Sequence, residues 1–244
     1  MLHLRVFRSA APREAVAGWW APRRLSWWIA VLFLIGSACF AIGPFPGFVG
    51  LVGAAADAAV FFVGSLFFTS AATLQYLEAV NADHDPARER LRVLAFQPHR
   101  TDWWATVVQL AGTLFFNLST YDALSTGLSA GQEDHLIWAP DVFGCACFLI
   151  ASWLAYRELS GARARGVRRP RDWWIAVVNL AGSVAFAVAG VASYFVPDSG
   201  DILDLAAANF ATVIGALGFF IGAALMLVDG ARAGIPDPVV PAGA

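Results

Sequence analysis

Lysine is missing from this chain altogether, and its 16 basic residues are all arginine. Such a bias fits a GC-rich coding preference and by itself selects no function. Cysteine is scarce. Cys39, Cys145 and Cys147 cannot make a disulfide framework, and Cys145-Ala146-Cys147 is not the spacing of a common metal site. Charged side chains make up 14% of the residues, against about 25% in an average soluble domain. With 59% hydrophobic residues, and the charges gathered between long apolar runs, a soluble domain is excluded. A multi-spanning membrane protein is the class that fits. The polar–apolar alternation of outer-membrane barrel strands is missing too, so the spans are helices.

Chemistry-bearing patterns are absent in the same way. There is no HExxH, no CxxC and no glycine loop of the kind that cradles phosphate. The four histidines (His3, His84, His99 and His135) all fall outside the apolar runs, which excludes an intramembrane bis-His haem site. No Ser/His/Asp set gathers on one membrane side. Catalytic residues, metal ligands and cofactors are therefore not assigned, and the chain is not expected to be an enzyme.

Six apolar runs are present, at roughly 27–44, 56–77, 103–121, 139–157, 173–195 and 206–228. Each is close to the ~20 residues that a helix needs to cross a bilayer. Their connections are sharply divided by charge. Every arginine lies before the first run, between the second and third, between the end of the fourth and the start of the fifth, or after the sixth. The other three connections carry none, and acids gather on that side instead: Asp122, Glu133, Asp134, Asp141, Asp198, Asp201 and Asp204, with Asp57 at the mouth of the second run. Arginine-rich connections stay in the cytoplasm, so both termini are expected there, in a bacterial plasma membrane. The first span has an arginine-bearing leader and two later equivalents, and it reads as a retained helix rather than a cleaved signal.

The runs repeat. Trp28, Trp104 and Trp174 align without gaps, followed by Gly36/Gly112/Gly182, a hydroxyl at Ser37/Thr113/Ser183, and Phe40/Phe116/Phe186. The alternate runs align on Gly64/Gly144/Gly215, Phe68/Phe148/Phe219 and an acid at Glu78/Glu158/Asp229. The expected fold is an all-α membrane protein of six transmembrane helices, arranged as three parallel-repeat hairpins (26–81, 101–160 and 171–229). The remaining segments are a cytoplasmic N-terminal segment (1–25), cytoplasmic connections (82–100 and the basic 161–170) and a disordered cytoplasmic tail (230–244). At 100° per residue, the shared small and large residues fall within about 120° of arc. A small residue beside a large one is what close helix packing in lipid requires, so these faces are expected to point inward. The Trp pairs read as an interfacial aromatic belt, with Ser26, Asp102 and Asp172 as N-caps.

Polar residues at membrane depth are the candidate functional positions: Gln75, Gln109, Asn117 and Asn179. Gln109 and Asn179 share a repeat position that holds Phe33 in the first copy. Two readings apply to these amides. They hydrogen-bond between helices, or they line a solute path. The repeated acids Glu78, Glu158 and Asp229 are candidate interfacial groups, expected to pair with Arg24, Arg100 and Arg171 or to bind a cation. The connection over 79–100 reads as a short amphipathic surface helix. Expected partners are the bilayer, anionic lipid headgroups at the arginine-rich connections, and a second copy or another membrane protein, with no nucleic acid.

The stretch Phe61-Phe62-Val63-Gly64-Ser65 through Gln75-Tyr76-Leu77-Glu78, together with the Trp-Trp…Gly-Ser helix before it, resembles the YrhK-like family of small bacterial membrane proteins built on a two-helix hairpin. The resemblance implies three such units in one chain and brings no activity or site residues with it. The first functional expectation is a non-enzymatic structural or interaction component of the membrane. The alternative is a small-solute or ion transporter or channel whose path is lined by the inward polar residues.

Overall fold

The computed structural model of the protein describes residues 20–82, 91–166, 170–196, 199 and 201–232, the last four by backbone course alone. The N-terminal segment before residue 20, the tail beyond residue 232 and the side chain of Asp229 lie outside the described residues. The elements are α1 (Leu25–Ile42), α2 (Phe48–Val52), α3 (Ala54–Val80), α4 (Thr101–Asp122), α5 (Ala130–Glu133), α6 (Ala139–Ala164), α7 (Pro170–Ala192) and α8 (Leu205–Arg232). A single π-helical turn, Asp134–Trp138, joins α5 to α6. Among the described residues there is no strand, only one isolated bridge between Phe195 and Ile202 in the α7–α8 turn.

Five helical stretches are long and apolar enough to cross a membrane: Leu25–Ile42, Ala54–Val80, Ala130–Ala164, Pro170–Ala192 and Leu205–Val228. The protein is an all-helical, multi-pass membrane protein by this measure. α4 matches the others with 22 residues, but it carries Asp102, Gln109, Asn117 and Asp122, and these lower its mean hydropathy.

Several boundaries differ from those read off the sequence. The fourth run continues back through α5 and the π turn to Ala130 and forward to Ala164, because neither the charged residues nor Pro140 in the first turn of α6 interrupts the helical course. Arg24 and Arg100, not Ser26 and Asp102, are the N-caps of α1 and α4, and neither makes a side-chain cap hydrogen bond. α7 likewise starts at Pro170, before Asp172. Each helix begins a residue or two earlier than expected, so Asp102 and Asp172 lie in the first turn, where a carboxylate still faces the positive end of the helix dipole. Asp102 Oδ1 accepts a hydrogen bond from its neighbour's backbone, Trp103 N–H, at 3.0 Å. Residues 91–100 form a non-helical strap rather than an amphipathic helix, and 83–90 lie outside the described residues.

The six long helices close into a ring. Each packs chiefly on two neighbours, in the order α1, α3, α4, α6, α7, α8 and back to α1. Within each sequential pair the helices run antiparallel and cross at glycine. A Cβ on Gly64 would lie 2.7 Å from the Cβ of Cys39, one on Gly112 2.8 Å from the Cβ of Cys147, and one on Gly182 2.8 Å from the carbonyl oxygen of Gly215. These approaches are too close for any side chain. They let backbones touch, which is how helices associate where lipid is as apolar as leucine.

Glycine closes each pair, and phenylalanine fills the middle of the ring. Phe40, Phe116 and Phe186 form one triangle, with ring centroids 6.0, 6.2 and 6.3 Å apart. Phe68, Phe148 and Phe219 form a second, with centroids 5.4, 6.0 and 6.1 Å apart. The triangles stack, since Phe40 to Phe68, Phe116 to Phe148 and Phe186 to Phe219 are 5.4, 5.1 and 5.7 Å. All six side chains are buried. Their edge-on and offset contacts are the favoured geometries of aromatic pairs.

The Trp pairs divide their work between core and surface. Trp27 and Trp103 are buried, whereas Trp28, Trp104 and Trp174 are exposed. The indole N–H of Trp28 donates to the carbonyl of Pro22 at 2.9 Å, and that of Trp104 to Pro98 at 3.0 Å. Trp28 and Trp104 therefore each pin the chain that leads into their own helix.

Candidate functional site

The axis of the ring is the natural place to seek a path or a binding site. Six phenylalanine rings in mutual contact occupy it at mid-depth, so the axis is closed there by apolar side chains. The candidate amides lie to either side of this plug. Gln109 and Asn179 stand seven residues before Phe116 and Phe186, and Gln75 stands seven after Phe68. Seven residues are close to two helical turns, so each shares a face with its phenylalanine on the arginine-bearing side. Asn117 follows Phe116 toward the acidic side.

None of the four amides hydrogen-bonds to another helix among the described residues. Gln75 Oε1, Asn117 Oδ1 and Asn179 Oδ1 are buried without a partner. Asn179 rests on the bare backbone of α8, for a Cβ on Gly222 would stand against its amide, 3.1 Å from Cγ and 3.4 Å from Nδ2. The polar bonds that join helices come from hydroxyl, thiol and indole groups instead. Ser65 Oγ and Thr120 Oγ1 are 2.9 Å apart between α3 and α4. Ser152 Oγ and Ser183 Oγ are 2.8 Å apart between α6 and α7. At the same interface Cys145 Sγ donates to the Phe186 carbonyl at 3.1 Å, and Trp138 Nε1 to the Gly190 carbonyl at 2.8 Å. Sequence reasoning singled out Ser183 only as a member of a repeat. Ser65, Thr120 and Trp138 escaped it because they differ between copies. The available signal was a small hydroxyl or thiol one residue after the packing glycine, at Ser65 and Cys145.

The small polar residues after the first-helix glycines meet three different fates. Ser183 finds Ser152. Thr113 Oγ1 bonds back to the Leu110 carbonyl at 2.7 Å. Ser37 Oγ is buried with no partner.

Neither Glu78 nor Glu158 takes up an ion pair with arginine among the described residues. Arg100 closes on Asp102 with two hydrogen bonds, through Nε at 3.0 Å and through Nη2, and also donates to Gln97 Oε1 at 2.8 Å. A carboxylate two residues away reaches the guanidinium fork more easily than one on another helix. Glu158 lies within electrostatic range of both Arg100 and Asp102. Glu78 is partly buried on α3. Asp229 belongs to the last turns of α8, and its side chain is outside the described residues. The three cysteines are free. No group of three or more metal-ligating side chains occurs among the described residues.

Two surface grooves face outward rather than along the axis. One, of about 670 Å³, runs over α7 and α8 between Val184, Val188, Val191 and Leu203. The other, of about 390 Å³, lies between α4 and α6 and is lined by His99, Arg100, Trp104, Val108, Ile150 and Leu154. Both are open and mainly apolar. No protein-family model matches the chain, and neither does any curated protein or solved structure.

Proposed function

We propose that this chain is a non-catalytic structural component of a bacterial plasma membrane. It has six spans, built as three parallel two-helix repeats around an axis normal to the bilayer, with α1 entering from the cytoplasm and α8 returning to it. The observation that carries the reading is the double triangle of phenylalanines. Symmetry-related positions converge on the axis and fill it, so the repeated residues serve closure and not conduction. α4 counts as the sixth span because it sits in the ring between α3 and α6 and equals its neighbours in length. The likeness of the first hairpin to the YrhK-like family belongs to the same proposal. Every described arginine lies at one end of the ring, which supports cytoplasmic α1 and α8 ends and a headgroup-binding surface there.

Solute transport is the rival reading. It is supported by the unpaired oxygens of Gln75 and Asn179 on the cytoplasmic side of the plug, because buried polar atoms without partners cost about 1–3 kcal/mol each and call for water or a ligand. The test is flux through the purified protein in liposomes. Entrapped fluorophore, potassium and proton gradients are expected to decay as in empty vesicles. Faster decay that disappears with the protein removed would overturn the structural reading in favour of transport.

A further inference from the structure

The strap between α3 and α4 is where the arginine-bearing end of the ring displays large apolar side chains outside any helix. Leu91 is 57% exposed, Val93 63%, Leu94 87% and Phe96 78%. The strap is firmly held. Asn81 Nδ2 donates to the Arg92 carbonyl at 2.8 Å and its Oδ1 accepts from Arg92 N–H at 2.8 Å. Ala95 N–H donates to the Tyr76 hydroxyl at 3.2 Å, and the Ala95 carbonyl accepts from Trp103 Nε1 at 2.8 Å. Gln97 Nε2 then donates to the Val80 carbonyl at 3.2 Å. Asn81 is almost wholly buried, and its amide nitrogen also donates to the Leu77 carbonyl at 2.9 Å.

These anchor points trace a dip. Arg92 meets Asn81 at the end of α3. Ala95 meets Tyr76, five residues deeper into the ring, which is about 7.5 Å along the helix axis. Gln97 has returned to the level of Val80. Phe96 stands edge-on to Trp103 with centroids 5.3 Å apart, beside the exposed Trp104. The amides and carbonyls of Arg92 and Ala95 are satisfied on the protein side, while the apolar side chains turn away from it. Bonding these groups internally lowers the penalty that keeps ordinary loops out of a water-poor layer.

We propose that Val93, Leu94 and Phe96 are an interfacial anchor, seated at the boundary between headgroups and acyl chains in the cytoplasmic leaflet. This rests on the reading that the ring spans the membrane with its arginine-bearing end in the cytoplasm. The occupant is the lipid surface itself, the apolar phase nearest a segment drawn down against the buried Tyr76 and Trp103. A soluble protein partner would need the strap to project outward, and the hydrogen bonds draw it back instead.

Photocrosslinking tests the inference. Leu94→benzoylphenylalanine and, separately, Phe96→benzoylphenylalanine are placed in the full chain and reconstituted in phosphatidylethanolamine/phosphatidylglycerol vesicles. Phe143→benzoylphenylalanine serves as a control on the outer face of α6. After irradiation, intact-mass measurement is expected to show a gain of one phospholipid at all three positions. Lipid adducts at position 143 but not at 94 or 96 leave the spanning arrangement intact and overturn the anchor. A protein adduct at 94 or 96 in inverted membrane vesicles with cytosol, in place of lipid, also overturns it and makes the strap a docking surface. Absence of lipid adducts at all three positions overturns the spanning arrangement and the anchor with it.

Discussion

Truncating Phe148 to alanine probes the phenylalanine plug directly. Phe148 is 1% exposed and touches Phe116, Phe68 and Phe219, with centroids at 5.1, 6.1 and 5.4 Å. In a soluble core such a change costs about 3–5 kcal/mol, part of it from moving apolar surface into water on unfolding. Here that part is small, because helices separated in lipid expose the ring to hydrocarbon rather than water. What remains is the cavity. The lost ring vacates roughly 100 Å³, and at about 24 cal/mol per Å³ of unrelaxed void the cost is roughly 2 kcal/mol. A change of that size lowers the folded-to-unfolded ratio about 30-fold. Phe143, 58% exposed on the same helix, is the matched control, and Phe143→Ala removes the same atoms from the lipid face at nearly no cost. Reversible unfolding in mixed micelles, titrated with denaturing detergent, measures both. Equal losses for Phe148→Ala and Phe143→Ala would refute the assignment of the axis as the packed core.

Other substitutions separate the remaining contacts. Gly218→Ala places a methyl 2.8 Å from both Gly182 Cα and the Val178 carbonyl, so α7 and α8 must part, with an expected loss of about 1–3 kcal/mol in the same titration. Ser37→Ala and Ser183→Ala should differ, with only the second destabilising. The first removes a buried hydroxyl with no partner and should be neutral or stabilising by about 1 kcal/mol, while the second strands Ser152 and should cost about 0.6–2 kcal/mol. Asn81→Ala removes both bonds to Arg92, and amide hydrogen exchange at Arg92 should accelerate while exchange at mid-helix α3 amides stays unchanged.

The positions of the long helices are legible in the sequence because the bilayer demands uninterrupted apolar runs of nearly fixed length, and the charged residues fall in the gaps. The inward faces are legible at the glycines and phenylalanines, where a small and a large residue alternate on one stripe. The ends are less legible. Ser26, Asp102 and Asp172 look like caps, yet each helix starts just before them, and at Asp102 and Asp172 a first-turn carboxylate still suits the helix dipole. The strap over 91–100 looks amphipathic by composition. Its course depends on Asn81 and Tyr76 reaching back across more than ten residues, and no local pattern reveals that. Gln109 and Asn179 attract attention as amides at membrane depth, but cross-helix bonds belong to Ser65, Thr120, Ser152 and Ser183. A short hydroxyl reaches a neighbouring helix held close by glycine, whereas a longer amide next to a phenylalanine stack finds no partner within reach.

Because α8 packs against α1 as the last contact of the ring, the order of neighbours does not depend on where the chain starts. A circular permutant that begins at α4 and carries α1 and α3 after α8, through a linker on the arginine-bearing side, retains every helix–helix interface of the parent. The same closure gives assembly a late step. The seam between α1 and α8 has the greatest separation in sequence, so it cannot form until the final helix has entered the membrane. Until then the stripe of α1 that bears Ser37 and Phe40 lacks the neighbour that completes it. A growing chain thus carries an open edge through most of its insertion, and that edge is the place where two copies could exchange their last helices.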